Sequence, residues 1–180
     1  MAFHMEYEKI TKRRYATGFT LLEFIIYLGI VSIVLLVSTA IYLNIVLAKA
    51  KLTAMAEVSN GARFVMERIS ENIRNANAIL SPASGSSASI LSLEMSDPAR
   101  NPTVYDLSQG AIRIKEGSGP TVNLTPASLV TANLIFTNTS YTNTPGTMRI
   151  QINLKYYNPD ESPEYDFERI FFTSSNIRLK

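Results

Sequence analysis

One acidic residue, Glu23, lies near the start of the longest apolar stretch of the chain. The surrounding sequence is KRRYATGFTLLEFIIYLGIVSIVLLV, in which three basic residues and a glycine precede the apolar run. An ionised side chain costs about 3 kcal/mol at the centre of a membrane helix and less near its end, and a nearby cation offsets that cost. Two interpretations are open: the Glu23 carboxylate pairs with a cation, or it lies hydrated at the level of the headgroups.

The densest group of carboxylates lies near the C-terminus. Its members are Asp160, Glu161, Glu164, Asp166 and Glu168. Neighbouring carboxylates can transfer protons or bind calcium through their oxygens. The first three, however, lie in a turn-like segment that contains two prolines, and the other two alternate with Tyr165 and Phe167. We therefore predict a solvated loop and an outward strand face here, with no metal ion.

The remaining residue types leave little basis for an enzyme. The chain has no cysteine, and its single histidine, His4, lies in the N-terminal segment. This excludes a thiolate zinc site and a cysteine nucleophile, and it disfavours histidine-based catalysis. The sequence also lacks a glycine-rich phosphate loop and a serine nucleophile elbow. We predict no catalytic residues and no cofactor.

The net charge of +2 comes from the N-terminus. Residues 1–18 carry that charge, whereas residues 19–180 hold thirteen basic and thirteen acidic side chains. A general nucleic-acid-binding protein would need a patch that neutralises phosphates. Nucleic acid is therefore a disfavoured partner, although the sequence does not exclude it.

The apolar run is long enough to cross a membrane. Residues 24–48 contain no charge, and 25 helical residues extend about 37 Å, against about 30 Å for a hydrocarbon core. The basic residues before it predict a cytoplasmic N-terminus and an extracytoplasmic remainder. A secretory signal peptide, cleaved after Ala40 or Ala50, is the competing interpretation. Both the length of the run and the acid at Glu23 disfavour it.

The motif GFTLLE, preceded by a basic leader, resembles the processing site of type IV prepilins and type II secretion pseudopilins. The resemblance implies that a prepilin peptidase cuts after Gly18 and methylates the new N-terminal residue, Phe19. It also implies that Glu23 meets the amine of an adjacent subunit during filament assembly. Within one helix, the Phe19 amine and Glu23 would themselves be neighbours four residues apart.

The C-terminal sequence is similar to that of a subgroup of this family. ERIFFTSSNIRLK and YDLSQGAIRIKEG resemble segments of the J-type pseudopilins and the W-type minor pilins. Major pilins commonly carry a proline within the apolar segment, where this chain has Ala40 and no proline nearby. We therefore expect a minor pilin or pseudopilin.

Apolar residues beyond the membrane segment follow the spacing of a helix. The predicted stripe is Leu52, Met55, Ser59, Ala62, Met66, Ile69, Ile73, Ala76 and Leu80. Spacings of three and four residues place these side chains on one face. Pro82 and the serine-rich segment after it predict the end of the helix. We expect a transmembrane helix over residues 19–48 that continues as an amphipathic helix over residues 49–80.

Residues 81–180 have the pattern of short strands joined by turns. TMRIQINLKYY alternates Met148, Ile150, Ile152, Leu154 and Tyr156 with polar neighbours, and GAIRIKE and NLIF show the same alternation. SILSLEM, TVYDL, TVNL and YDFERIFFT are further candidate strands. The predicted fold class is α+β, a long N-terminal helix packed on a C-terminal antiparallel sheet. The pilin family has this architecture.

Two functions are consistent with these features. The first is a minor type IV pilin or pseudopilin, whose partners are prepilin peptidase, other pilin or pseudopilin subunits and the cytoplasmic membrane. This subunit would be stored in that membrane and then built into a surface filament. The second is a membrane-anchored extracytoplasmic module that binds a ligand or DNA without entering a filament. The leader and Glu23 favour the first, because an ordinary anchor requires neither.

Overall fold

The computed structural model describes residues 18–141 and 144–178. The predicted leader, residues 1–18, lies outside the described residues except for Gly18. The described chain divides into a compact unit that ends at Asn44 and a second unit that begins at Ile45. In the two described ranges one α-helix, α1 (Leu21–Asn75), precedes nine strands. The fold is α+β, as predicted.

The first part of α1 is apolar and exposed. From Gly18 to Lys49 every residue is exposed except Glu23, which is half-buried. The hydroxyls of Ser32 and Thr39 donate to main-chain carbonyls four residues earlier, at 2.7 and 2.8 Å. These bonds satisfy hydroxyl groups on an apolar helix surface that offers them no other partner of this kind. By length and composition this is the one helix in the described residues that could cross a membrane, with a mean hydropathy of 2.6. A single-pass anchor is compatible with it.

The predicted end of the helix at Leu80 is wrong. The helix ends at Asn75, and β1 (Ala76–Ser81) follows it directly. Ala76 and Leu80 therefore belong to a strand, which pairs antiparallel with β3 (Leu91–Met95). The tertiary pairing with β3 overrides a local pattern that fits both structures. The asparagines on both sides of Ala76 are weak helix formers, which favours the change.

The buried face of α1 also differs from the predicted stripe. The fully buried apolar residues are Ala54, Val58, Ala62, Val65, Ile69 and Ile73. Ala62, Ile69 and Ile73 were predicted, whereas Leu52 is 66% exposed. The observed spacing is mostly four residues, close to the 3.6-residue period of a straight helix. The predicted stripe has an average spacing of about 3.5 residues, which is shorter than this period. Toward the N-terminal end the predicted residues therefore lie on a different side of the helix from the buried ones.

The strands form two antiparallel sheets, whereas a single sheet was predicted. The strands of the first sheet are β1, β3, β4 (Thr103–Ser108), β5 (Ala111–Glu116) and β6 (Thr121–Asn123), in that order. Those of the second are β2 (Ser87–Ala88), β7 (Leu129–Asn138), β8 (Thr147–Tyr156) and β9 (Glu168–Asn176). The alternation of side chains identifies strands but does not specify which of them pair.

The core lies between the later part of α1 and the two sheets. In β8 the predicted inward residues Met148, Ile150, Ile152 and Leu154 are fully buried. They cluster with Val65 and Ile69 of the helix and with residues of both sheets. Since burial of an apolar side chain contributes about 2 kcal/mol, this cluster holds the helix on the sheets.

Candidate functional site: the start of the apolar helix

The segment that contains the predicted cleavage site precedes the first helical residue. Gly18 and Phe19 are exposed and have no regular secondary structure, and the helix begins at Leu21. Among the described residues, none lies within 4 Å of the position that a Cβ atom would occupy on Gly18. The described part of the fold therefore does not itself require glycine at this position.

Thr20 caps the helix. Its side-chain oxygen accepts a hydrogen bond from the backbone N–H of Glu23 at 3.2 Å, and its carbonyl oxygen accepts one from Phe24 at 3.1 Å. A threonine followed three residues later by glutamate is the signature of a capping box. The spacing Thr20-Leu-Leu-Glu23 could therefore have revealed this cap, which our sequence analysis missed.

The Glu23 carboxylate has a partner within its own helix. The hydroxyl of Tyr27 donates to its Oε1 atom at 3.4 Å. The ring of Tyr27 also lies 5.6 Å from that of Phe19, centre to centre. Tyr27 thus contacts both residues that the sequence resemblance associates with assembly, and it too was missed by the sequence analysis.

The helical arrangement expected for Phe19 and Glu23 is not observed. We expected both residues to lie in one helix, four positions apart, but Phe19 precedes the helix by two residues. In the chain as described, its nitrogen is also an amide that follows Gly18 rather than a free amine. The structure therefore shows Glu23 with a hydroxyl donor, and within the described residues it forms no ion pair.

The electrostatic setting of Glu23 suits a carboxylate. An acidic side chain in the first turn of a helix interacts favourably with the helix dipole, typically by about 0.5 kcal/mol. Glu23 is the acid in the first turn of α1. The helix dipole therefore explains part of why glutamate is tolerated here. The capping bond does not, because it uses the backbone N–H of Glu23. Its carboxylate can still accept hydrogen bonds from a further donor.

The C-terminal carboxylates are distributed over a loop and a strand. Asp166 pairs with Lys155 at 3.4 Å, and Glu168 accepts a hydrogen bond from the side-chain amide of Asn153. Asp160 and Glu161 are exposed. Within the described ranges, no three acidic or histidine side chains are grouped as metal ligands would be.

A partly buried polar network within the globular unit connects α1 with the first sheet. The Asn72 amide donates to the Tyr105 hydroxyl, while Arg100 donates to the Asn72 carbonyl oxygen at 2.9 Å and to Glu116 at 2.7 Å. Burial raises the pKa of Tyr105, and the hydrogen bond from Asn72 opposes part of this rise. These groups are paired with one another, which indicates that they fix the helix on the sheet.

Comparisons with models of known protein families, with characterised proteins and with solved structures found no match.

Proposed function

We propose that the chain is a minor type IV pilin or a type II secretion pseudopilin. It would be a structural subunit, cleaved by prepilin peptidase and assembled from the cytoplasmic membrane into a filament. The observation that carries the proposal is the position of Gly18 and Phe19. They form an exposed segment immediately before an apolar helix whose first turn contains one half-buried acid.

Each part of this segment has a role in the proposed mechanism. The exposed backbone at Gly18 is accessible to a peptidase, and a residue without a side chain allows close approach of catalytic groups. Cleavage would free the amine of Phe19, and methylation would leave it positively charged. The apolar part of α1 would hold the subunit in the membrane until assembly, with the globular unit on the extracytoplasmic side.

Glu23 would then act between subunits. When its helix moves from a partly hydrated interface into a filament core, an unpaired carboxylate costs several kilocalories per mole (about 3 to 5). The amine of a neighbouring subunit offsets much of that cost. Because the pair can form at only one axial offset between two helices, it would select the register of assembly.

Intact-mass spectrometry tests the proposal directly. Co-expression with a prepilin peptidase should shorten the chain by 18 residues, the length of the segment up to Gly18, and add one methyl group. The variant Gly18→Val should stay uncut, whereas Gly18→Ala should retain cleavage because its side chain is one methyl group.

The matched control is Gly29→Val. Gly29 is also exposed with open space around its Cβ position, so this variant should be processed like the parent chain. A mature chain that starts at Ile41 or Lys51 would contradict the proposal and identify a secretory signal. An uncut chain that remains in the membrane would favour the anchored binding module.

A further inference from the structure

One end of the globular unit carries a loop of unpaired acids. Residues 157–168 contain five carboxylates and no basic side chain. Asp160, Glu161 and Glu164, which we call the acidic loop, form no ion pair with any residue that the structure describes, unlike Asp166, which pairs with Lys155. Such a concentration of like charge favours an oppositely charged partner.

The other end carries three exposed arginines. The backbone N–H of Arg178 donates to the carbonyl oxygen of Arg74 at 3.1 Å, which places the two residues side by side. Arg149 lies on the adjacent strand β8, with its guanidinium 5.3 Å from the centre of the Phe172 ring. In the described part of the chain, none of these three arginines forms an ion pair with a carboxylate.

A cleft of about 430 Å³ opens between two of these arginines. We call it the arginine cleft; its lining residues are Arg74, Ser174, Ser175, Asn176, Ile177 and Arg178. Guanidinium groups beside hydroxyl and amide donors match the hydrogen-bonding needs of carboxylates. The cleft is therefore suited to an acidic peptide segment.

The acidic loop and the arginine cleft of one chain lie too far apart to meet. The backbone N–H of Tyr157, three residues before Asp160, donates a hydrogen bond to the carbonyl oxygen of Ser128. The hydroxyl of Ser128 in turn donates one to the carboxylate of Glu57. The loop therefore begins near Glu57, whereas the cleft lies at Arg74. Arg74 follows Glu57 by seventeen positions in the helix, which corresponds to about 25 Å along its axis.

We propose that the arginine cleft binds the acidic loop of a second copy of this chain. A contact between two different surfaces of identical subunits is heterologous, and its repetition produces an open filament wherever the rotation between subunits does not close a ring. The inference therefore rests on the proposed function and adds a contact between globular units to it. Nucleic acid fits less well, because phosphates would meet three arginines on a chain whose residues 19–180 have no net charge.

Cysteine cross-linking tests this contact in the full-length chain. The chain has no cysteine, so two differently tagged copies can each carry one. We expect copies with Ser174→Cys, in the cleft, to form an oxidant-induced disulfide in the membrane with copies that carry Ser162→Cys, in the loop. Because each copy has a single thiol, this disulfide joins two chains. The matched control Ser118→Cys, on an exposed turn between β5 and β6, should give no dimer with Ser162→Cys.

Reversal of the charges tests complementarity. Arg74→Glu with Arg178→Glu in every copy should lower the yield of cross-linked dimer about tenfold, since attraction becomes repulsion. Asp160→Lys with Glu161→Lys in every copy should have the same effect. When copies of the two variants are mixed, each contact between one variant and the other joins opposite charges again, and the yield of dimers that contain both variants should recover. Recovery also shows that both variants fold. Lys115→Glu, an exposed reversal on β5, is the control and should leave the yield unchanged.

Three results would overturn the inference. The first is the absence of a disulfide between the cleft cysteine and the loop cysteine. The second is a higher yield of the disulfide between two cleft cysteines than of the disulfide between cleft and loop, which would indicate a symmetric dimer. The third is loss of DNA retention, without loss of cross-linking, when the arginines are reversed. Processing at Gly18 measured in the same cells separates these results from failure of the proposed function, because cleavage does not depend on the globular contact.

Discussion

The hydroxyl of Tyr27 donates a hydrogen bond to the carboxylate of Glu23, one turn earlier in α1, at 3.4 Å. This contact gives Glu23 a neutral donor in the isolated chain, so that its charge need not lie unpartnered in the first turn of an apolar helix. A hydroxyl does not neutralise a carboxylate, however. In the proposed filament a charged amine would replace or join Tyr27 as the partner of Glu23.

We predict that Glu23→Gln lowers incorporation into filaments while cleavage at Gly18 continues. The substitution keeps the side-chain length and the backbone N–H that donates to Thr20, but it removes the charge that would attract the amine. Incorporation is measured by co-purification with partner subunits and cleavage by intact mass.

The control for this substitution is Tyr27→Phe. It removes the hydroxyl that contacts Glu23 and leaves the carboxylate, so incorporation should fall far less than in Glu23→Gln. Normal incorporation of Glu23→Gln would show that the acid is merely solvated at the membrane surface. Loss of cleavage in the same variant would instead place Glu23 in peptidase recognition.

We also predict that a chain lacking residues 1–48 is soluble and folded. The deleted part contains the exposed apolar segment, whereas the buried helical residues begin at Ala54 and pack within the globular unit. Circular dichroism should show mixed helix and strand, and sedimentation should show a monomer at micromolar concentration. Insolubility of this fragment would mean that the later part of α1 does not stay packed on the sheets.

The fold was more predictable from the sequence than the site. Alternating patterns such as Met148 to Leu154 identified strands because burial of every second side chain is a local property of the sequence. The division into two sheets and the end of α1 at Asn75 depend on pairing between distant strands, which no local pattern specifies. At the candidate site, a motif predicts roles for Gly18 and Glu23 that stay predictions, whereas the contact of Tyr27 with Glu23 depends on side-chain orientation, which no motif specifies.

Gly61 illustrates the same limit. The sequence suggests only that a glycine weakens the helix, but a Cβ atom here would overlap the side chain of Leu129 at the start of β7. We predict that Gly61→Ala lowers the free energy of unfolding of the soluble fragment by about 1 to 2 kcal/mol, although alanine favours helix. Urea denaturation measures this change.

A double-mutant cycle supplies the control for Gly61. Leu129→Ala alone should destabilise the fragment by about 2 to 4 kcal/mol because it removes a buried side chain. With the leucine shortened, Gly61→Ala should cost nothing further or should stabilise the helix. Additive costs in the double variant would show that the two residues do not compete for the same space.

Tyr105 should make the stability of the soluble fragment depend on alkaline pH. Burial raises the pKa of this hydroxyl in the folded state, whereas an unfolded tyrosine ionises near its ordinary value of about 10. Between these two values only the unfolded chain loses the proton. The Tyr105 contribution is therefore constant below about pH 10. Above that pH it should lower the free energy of unfolding by up to about 1.4 kcal/mol per pH unit.

The variant Tyr105→Phe isolates this effect. At neutral pH it should destabilise the fragment by about 1 to 2 kcal/mol, because the Asn72 amide loses its buried acceptor. Above pH 10 its stability should fall less steeply than that of the parent chain, so the difference between the two should narrow. Tyr141→Phe is the control, since that side chain is 81% exposed and should change neither value. Parallel curves for the parent chain and Tyr105→Phe would mean that the Tyr105 hydroxyl ionises as readily in the folded chain as in water.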